Sequence, residues 1–120
     1  MTKLCINSRD ELHVVQLDNV IYLKASGSYT DFCYANGKVG SEVQCLSFFE
    51  EQISRAYRGT DNPFYRLGRS YLINTNYVSV ISLQGMRLDF VGSGQTSLRL
   101  SKSLLRRIKD YMGKTFTAQS

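Results

Sequence analysis

Apolar and polar residues alternate along most of the chain, in short stretches that turn-forming residues separate. Alternation with a period of two is typical of half-buried β-strands, and Gly, Asn, Asp or Ser between such stretches favours tight turns. Asn36–Gly37 is a strong hairpin signal, because both positions tolerate positive φ. The polar stretch SGSYT is interpreted as a break between two strands. The pattern predicts strands within LCI, LHVVQL, VIYLKA, DFCYA, KVGSEVQ, FYRLG, SYLINTNYVSVISL, MRLDFV and TSLRL.

The first departure from this alternation is the segment LSFFEEQISRAY, where apolar residues recur at helical spacing. Ser47 and Glu50 have the S-x-x-E form of a capping box, in which the serine accepts a bond from an unpaired N–H group and the glutamate reaches back. We therefore predict a short helix that begins near Ser47 and ends before Gly59.

A second helix is predicted near the C-terminus, where an apolar face opposes a basic one. The apolar positions are Leu104, Leu105, Ile108 and Met112. Ser101 is the predicted N-cap, and residues 113–120 are expected to be a frayed tail. Because the strands are too closely spaced for parallel crossovers, the sheets should be antiparallel. Residues 1–120 are thus predicted to form one mainly β domain with a short middle helix and a C-terminal helix.

Composition indicates the compartment of the protein, and the charge distribution indicates which classes of partner it favours. The chain is 42% hydrophobic and 21% charged, and it contains neither a long apolar run nor a secretory leader, so a cytoplasmic protein is expected. Residues 1–60 carry six basic and seven acidic side chains, whereas residues 61–120 carry nine and three, which places charges of −1 and +6 on the two halves. Such asymmetry favours nucleic acid or an anionic membrane, with a solvated basic surface as the alternative.

Side chains that carry catalysis or bind metals are sparse. The single histidine, His13, lies in an alternating stretch, where a solvent-facing or packed imidazole is expected. Cys5, Cys33 and Cys45 are odd in number and far apart, which disfavours a disulfide scaffold or a zinc site and predicts buried thiols. The GSGQT stretch is interpreted as a hairpin turn rather than a phosphate loop. We therefore predict no enzyme activity, no metal and no cofactor.

Basic and hydroxyl side chains next to the predicted turns point to nucleic acid. An arginine at a loop tip presents a planar fork that matches the two major-groove acceptors of guanine, and hydroxyl groups suit phosphate oxygens. The candidate DNA-binding residues are Lys24, Ser28, Tyr29, Arg66, Arg69, Ser70 and Lys102.

Three of these positions leave an alternative open. Tyr29 could pack on the sheet, and Arg66 could pair with an acid on a neighbouring strand. Ser70 and the nearby Asn74 could both bond to the backbone of the turn, a structural role that we favour for Asn74.

Several of these residues lie within a longer motif. The segment FYRLGRSYLINTNYVSVI resembles the signature of the LytTR DNA-binding domain, in which a phenylalanine, an arginine, an Arg-Ser pair and an asparagine are interleaved with aliphatic residues. The residues that fit are Phe64, Arg66, Arg69, Ser70, Leu72, Ile73 and Asn74. DNVIYLKASGSYTDFCYANGK upstream and SLRLSKSLLRRI downstream extend the resemblance from about Val14 to Met112.

The resemblance implies an elongated β fold whose loops, rather than a recognition helix, enter successive major grooves of double-stranded DNA. It also implies that the chain is the output domain of a bacterial transcriptional regulator that binds direct repeats. A receiver or sensor domain would then be a further partner. Aligned to the family's motif, Tyr29, Arg69 and Lys102 project from those loops. Gly68 stands where the family commonly has a histidine, and Lys102 stands where it usually has an arginine. Lysine, unlike arginine, cannot form a bidentate fork. Whether the 120 residues are an excised domain or a stand-alone protein stays open.

The small size of the domain suggests how many copies would bind. A few loop tips read only a short sequence, and each wrong base pair costs about 1–3 kcal/mol, so useful specificity needs a second copy. The chain has no long heptad repeat for a symmetric coiled-coil dimer. We therefore predict a monomer in free solution and two copies on a direct repeat. The alternative function is a non-catalytic β module that binds protein or RNA. A sheet that binds RNA usually displays aromatic residues for stacking, whereas Tyr22, Phe32 and Tyr34 alternate inside strands and are interpreted mostly as core.

Overall fold

The computed structural model describes residues 2–92 and 96–117 of the 120. These residues form ten β-strands and two α-helices in an elongated molecule of 51 × 31 × 27 Å, which confirms the predicted fold class. The strands are β1 Lys3–Asn7, β2 Leu12–Gln16, β3 Val20–Ser26, β4 Tyr29–Tyr34, β5 Val39–Val43, β6 Phe64–Leu67, β7 Tyr71–Asn74, β8 Val78–Ser82, β9 Arg87–Phe90 and β10 Ser97–Arg99. The helices are α1 Leu46–Ala56 and α2 Lys102–Phe116.

The strands pair antiparallel in three sheets. β1 and β2 form a hairpin, β10, β9 and β8 form a three-stranded sheet, and the central sheet has the order β5-β4-β3-β7-β6. Two hairpins, β3–β4 and β6–β7, meet in this central sheet, with Lys24 of β3 opposite Tyr71 of β7. The turns of both hairpins therefore lie at the same end of the sheet.

One face of the central sheet packs against α1 and the β1–β2 hairpin. Leu23, Phe32 and Leu72 project from this face and are buried with Phe49 and Ile53 of α1. The Phe32 and Phe49 rings meet edge to face, with centroids 5.0 Å apart. Full burial of each such side chain contributes roughly 1.5–3 kcal/mol, so this core holds α1 firmly on the sheet.

The opposite face is covered by the three-stranded sheet and α2. Alternate residues of the same strands, such as Leu67 and Ile73, point to this side, because successive side chains of a strand face opposite ways. They are buried with Leu88 of β9 and with Leu105 and Ile108 of α2. The central sheet is thus enclosed by two separate cores, and each helix has a fixed position relative to the end that carries the two turns.

The helix signals were partly correct. The Ser101 hydroxyl accepts a hydrogen bond from Leu104 N–H at 3.3 Å, which confirms Ser101 as the N-cap of α2. The capping box predicted for α1 is wrong: the N-cap is Cys45, which makes no side-chain cap bond. Ser47 lies inside the first turn, and its hydroxyl, like the Glu50 carboxylate, accepts a hydrogen bond from Arg66 instead.

The segment SYLINTNYVSVISL, predicted as one strand, is divided between two sheets. β7 ends at Asn74, a 3₁₀ turn covers Thr75–Tyr77, and β8 begins the three-stranded sheet. Asn74 is buried; its Nδ2 donates to the Val20 carbonyl at 2.9 Å, and its Oδ1 accepts from Asn76 N–H at 3.0 Å. The favoured structural role of Asn74 is therefore observed, but at this turn rather than at the one beside Arg69.

Other differences concern boundaries and exposure. The SGSYT break is reduced to Gly27 and Ser28, because β3 runs through Ser26 and β4 begins at Tyr29. α2 continues through Phe116, into the stretch that was expected to fray. Cys5 and Cys45 are exposed and Cys33 is half-buried, so the prediction of buried thiols is wrong. The GSGQT turn lies largely outside the described residues.

Neither α1 nor α2, the helices of the described part of the chain, is long and apolar enough to cross a bilayer.

Candidate nucleic-acid interface

Three loops converge at one end of the central sheet. The β3–β4 turn and the β6–β7 turn are neighbours, because Ala25 N–H donates to the Ser70 carbonyl at 2.8 Å. The start of α2 joins them through Leu104, whose Cδ2 would lie 3.1 Å from a β-carbon built on Gly68. Residues that are far apart in the sequence are thus brought to a single surface.

Lys24 of β3, Ser28 of the β3–β4 turn and Tyr29, the first residue of β4, are all exposed. Gly27 has φ +60 and supplies the left-handed backbone that the tight turn requires. Lys24 and Ser26 lie two residues apart on one face of β3, and Ser26 pairs with Tyr29. The side chains of Lys24, Ser26 and Tyr29 therefore project on the α2 side of the sheet. Tyr29 is 49% exposed and makes no ring contact with another described residue.

The β6–β7 turn carries Arg69 and Ser70, and both are exposed. Gly68 adopts φ +66, which a residue with a β-carbon reaches only with strain. Within the described ranges, the Arg69 guanidinium has neither an ion pair nor a hydrogen bond. Its planar donor fork is therefore free to meet a ligand at the tip of the turn.

Lys102 is the first residue of α2 and is exposed beside these turns. Further along α2, Arg106, Arg107 and Lys109 are exposed as well, whereas Leu105 and Ile108 are buried. The predicted separation of a basic and an apolar face is thus confirmed, and the basic face extends the positive charge away from the sheet end.

Arg66 stands apart from the other candidates. It lies opposite Leu72, whose side chain belongs to the α1 core, so Arg66 projects on the α1 side of the sheet. Its Nη1 donates to Glu50 Oε1 at 2.7 Å. The alternative of an acidic partner is therefore observed, although the acid belongs to a helix rather than to a neighbouring strand.

Gln44 is a residue of this end that the sequence did not single out. Its N–H donates to the Ser28 carbonyl at 3.4 Å, and its carbonyl accepts from Thr30 Oγ1 at 2.9 Å. It is exposed and has φ +150, a conformation unusual for a residue other than glycine. A glutamine at the end of a predicted strand carries no signal of this placement, which arises from the pairing of β5 with β4.

Comparison with known proteins agrees with this architecture. A solved structure, described as the LytTr DNA-binding domain of a proposed methyl-accepting/DNA response regulator from Bacillus cereus, aligns with a TM-score of 0.64 over 94% of this chain and 98% of that chain. The two sequences are 19% identical, so this likeness supports the fold alone. None of the curated proteins matches.

The family model for the LytTr DNA-binding domain matches residues 10–113, which include all three loops and confirm the resemblance read from the motif. Since this match covers most of the chain, the protein belongs to the family of LytTr DNA-binding domains, which serve in transcription regulation.

Proposed function

We propose that this chain is the output domain of a bacterial transcriptional regulator, and that the three converging loops enter the major groove of double-stranded DNA. The observation that carries the proposal is the shared position of Tyr29, Arg69 and Lys102, which are exposed at one end of the central sheet. The major groove is about 12 Å wide and admits a β-ribbon. The adjacent turns of the β3–β4 and β6–β7 hairpins form the end of such a ribbon.

The side chains divide by chemistry. Arg69 reads a base, because its fork is unpaired and matches guanine O6 and N7. Lys102 is a point charge and suits a phosphate. The hydroxyl groups of Ser28 and Ser70, together with Lys24, surround these two and supply further backbone contacts. Tyr29 has both an aromatic ring and a hydroxyl group for contacts at a base edge or a phosphate.

The packing of the sheet aromatics disfavours the RNA alternative. A β-sheet that binds single-stranded RNA displays aromatic rings on an open face, where bases stack. Here Tyr22 stacks on Phe90 with ring centroids 5.5 Å apart, and Phe32 is buried against Phe49. Both rings are therefore already covered by protein, and the exposed surface at the loops is polar and basic.

We further propose that two copies bind head to tail on a direct repeat, that the free protein is monomeric, and that a receiver or sensor domain controls it in the cytoplasm. A single sheet end reaches only a few base pairs, so discrimination must come from a second copy. Half-sites on one face of the duplex would lie whole helical turns apart, about 10–10.5 bp or a multiple of it. No catalytic step belongs to this function.

A salt titration tests the DNA proposal. Duplex DNA selected by the protein from a random pool is compared with single-stranded RNA by fluorescence anisotropy at several salt concentrations. About six phosphate contacts would reduce duplex affinity roughly 10³-fold between about 50 and 200 mM salt. Duplex affinity that does not change with salt, or tighter binding of the RNA, would refute the proposal.

The arrangement of copies is tested separately. Sedimentation gives the mass of the free protein, and gel shifts compare direct, inverted and half-turn-offset repeats. The direct repeat should bind two copies, and the half-turn offset should weaken binding of the pair if the copies touch. A stable free dimer that prefers inverted repeats would contradict this arrangement while leaving DNA binding itself intact.

A further inference from the structure

The guanidinium of Arg66 is engaged on every nitrogen by acceptors inside the protein. Nε donates to the Gly68 carbonyl at 2.9 Å, and Nη2 donates to the Arg69 carbonyl at 3.0 Å. Nη1 donates to Glu50 Oε1 at 2.7 Å and to Ser47 Oγ at 3.3 Å. One planar side chain therefore connects the β6–β7 turn to the first turn of α1.

The two carbonyls that Arg66 contacts belong to the peptide planes on either side of the Arg69 Cα. Because each peptide unit is planar, holding both planes fixes φ and ψ of Arg69 and hence the direction of its Cα–Cβ bond. The following carbonyl, that of Ser70, accepts from Ala25 N–H of β3 at 2.8 Å. The backbone that carries the exposed Arg69 fork is thus held from both sides.

Glu50 anchors the other edge of the guanidinium. It belongs to α1, whose Phe49 and Ile53 are fully buried in the core, so its carboxylate starts from a fixed backbone. The Arg66 side chain is 26% exposed and that of Glu50 is 42% exposed. A carboxylate next to Arg66 also offsets the positive charge that a phosphate would otherwise meet there.

We propose that Arg66 and Glu50 form a clamp that positions Arg69 for base readout, and that Arg66 is a positioning residue rather than a DNA contact. This inference rests on the proposed function, since it concerns how that function is prepared. A turn held in its binding geometry before DNA arrives avoids the ordering cost that a mobile turn incurs on binding. Loss of the clamp should therefore weaken specific binding about 10-fold, the equivalent of ordering one long side chain.

Glu50→Ala is the decisive variant, because electrostatics and positioning predict opposite results. Removal of a negative charge near the interface strengthens general attraction to DNA. Loss of the anchor instead weakens binding to the selected duplex about 10-fold. Glu51→Ala is the matched control: it removes the same charge from the adjacent position of α1, where the only ion-pair partner among the described residues is Arg55. Thermal unfolding checks that both variants are folded.

Three further measurements separate positioning from direct contact. Arg66→Lys keeps the charge but cannot form the fork, so a clamp predicts weaker binding with an unchanged salt slope, whereas a phosphate contact predicts nearly unchanged binding. In an Arg69→Ala background, Glu50→Ala should have no further effect, because the side chain that the clamp positions is gone. The ¹⁵N order parameter of the Arg69 amide should fall from about 0.85 to below about 0.6 in Glu50→Ala.

The inference is overturned if Glu50→Ala binds the selected duplex as tightly as Glu51→Ala, or if Arg66→Lys binds like the wild type. It is also overturned if Glu50→Ala weakens binding equally with and without Arg69. A wild-type protein that selects no duplex from the pool refutes the proposed function and this inference with it, whereas duplex binding with an unchanged Glu50→Ala refutes the clamp alone. The Arg69 order parameter measures the rigidity of the β6–β7 turn whether or not a duplex is selected.

Discussion

Leu104 packs directly against the backbone of Gly68: a β-carbon at residue 68 would lie 3.1 Å from Leu104 Cδ2. This contact joins the β6–β7 turn to the first turn of α2, so it sets the distance between the two strongest candidate contacts, Arg69 and Lys102. Two separate causes therefore require glycine at this position, the φ of +66 and the approach of the leucine.

The Gly68→Ala variant should lose more stability than Gly27→Ala. Both glycines have similar positive φ, +66 and +60, but a β-carbon at Gly27 would meet nothing within 4 Å. The Gly27 variant therefore measures the backbone strain alone, about 1–2 kcal/mol, and the Gly68 variant adds the displacement of Leu104. Urea unfolding of both variants gives the difference, and equal losses would show that Leu104 adjusts freely.

Arg69→Ala should weaken binding to the selected duplex by about 1–3 kcal/mol and relax specificity at one base pair. Lys102→Ala should instead weaken all duplexes about equally and lower the salt slope by about one. Affinities for the selected duplex and for a scrambled duplex, each at several salt concentrations, measure both effects. Equal losses of Arg69→Ala on the two duplexes would reduce Arg69 to a phosphate contact.

Asn74→Ala should destabilise the fold by about 1–3 kcal/mol, because it removes the buried donor to the Val20 carbonyl and the acceptor that begins the 3₁₀ turn. Asn76→Ala is the control, since Asn76 is exposed and takes part in this network only through its backbone N–H. Chemical denaturation measures both variants. A similar small loss for the two would mean that the backbone alone maintains the junction between the sheets.

Stability should depend on pH through His13, which joins the β1–β2 hairpin to β5. Its Nδ1 lies 2.9 Å from Glu42 Oε2, and its Nε2 lies 3.0 Å from Glu11 Oε1. The hydrogen bond with Glu42, followed by that with Glu11, raises the pKa of His13 above its usual 6.5. Since the folded state holds the proton more tightly than the unfolded state, this stabilisation is complete below about pH 6.5 and disappears as pH rises through the raised pKa.

Urea unfolding of the wild type and of His13→Gln at about pH 5.5 and about pH 8.5 tests this dependence. The wild type should be the more stable of the two at the lower pH, and the difference should shrink at the higher pH. A difference that stays constant between the two conditions would show that the His13 ion pairs contribute nothing to folding.

Local sequence patterns determine most of the strands and helices of this fold. A period of two marks the strands, a period of 3.6 marks α2, and the hydroxyl of Ser101 caps the helix that follows it, because each of these signals acts within a few residues. The signal from glycine at a hairpin turn is equally local, since glycine is required by the backbone conformation of that one residue. For the same reason, the exposed candidates Tyr29, Arg69 and Lys102 could be named from turn chemistry and the family motif before any packing was known.

The partners of side chains were decided only by the tertiary structure. The S-x-x-E pattern of Ser47 and Glu50 predicts a helix cap, yet both acceptors bind Arg66, which lies 16 or more residues further along the chain. Local patterns do not encode such a choice, because it depends on which strand α1 packs against and on the side of the sheet to which Arg66 points. The same holds for Leu104 and Gly68, whose contact joins the central segment of the motif to the downstream segment SLRLSKSLLRRI. The chain by itself thus determined which residues occupy turns, whereas packing of the two cores determined which of them bind one another and which remain exposed.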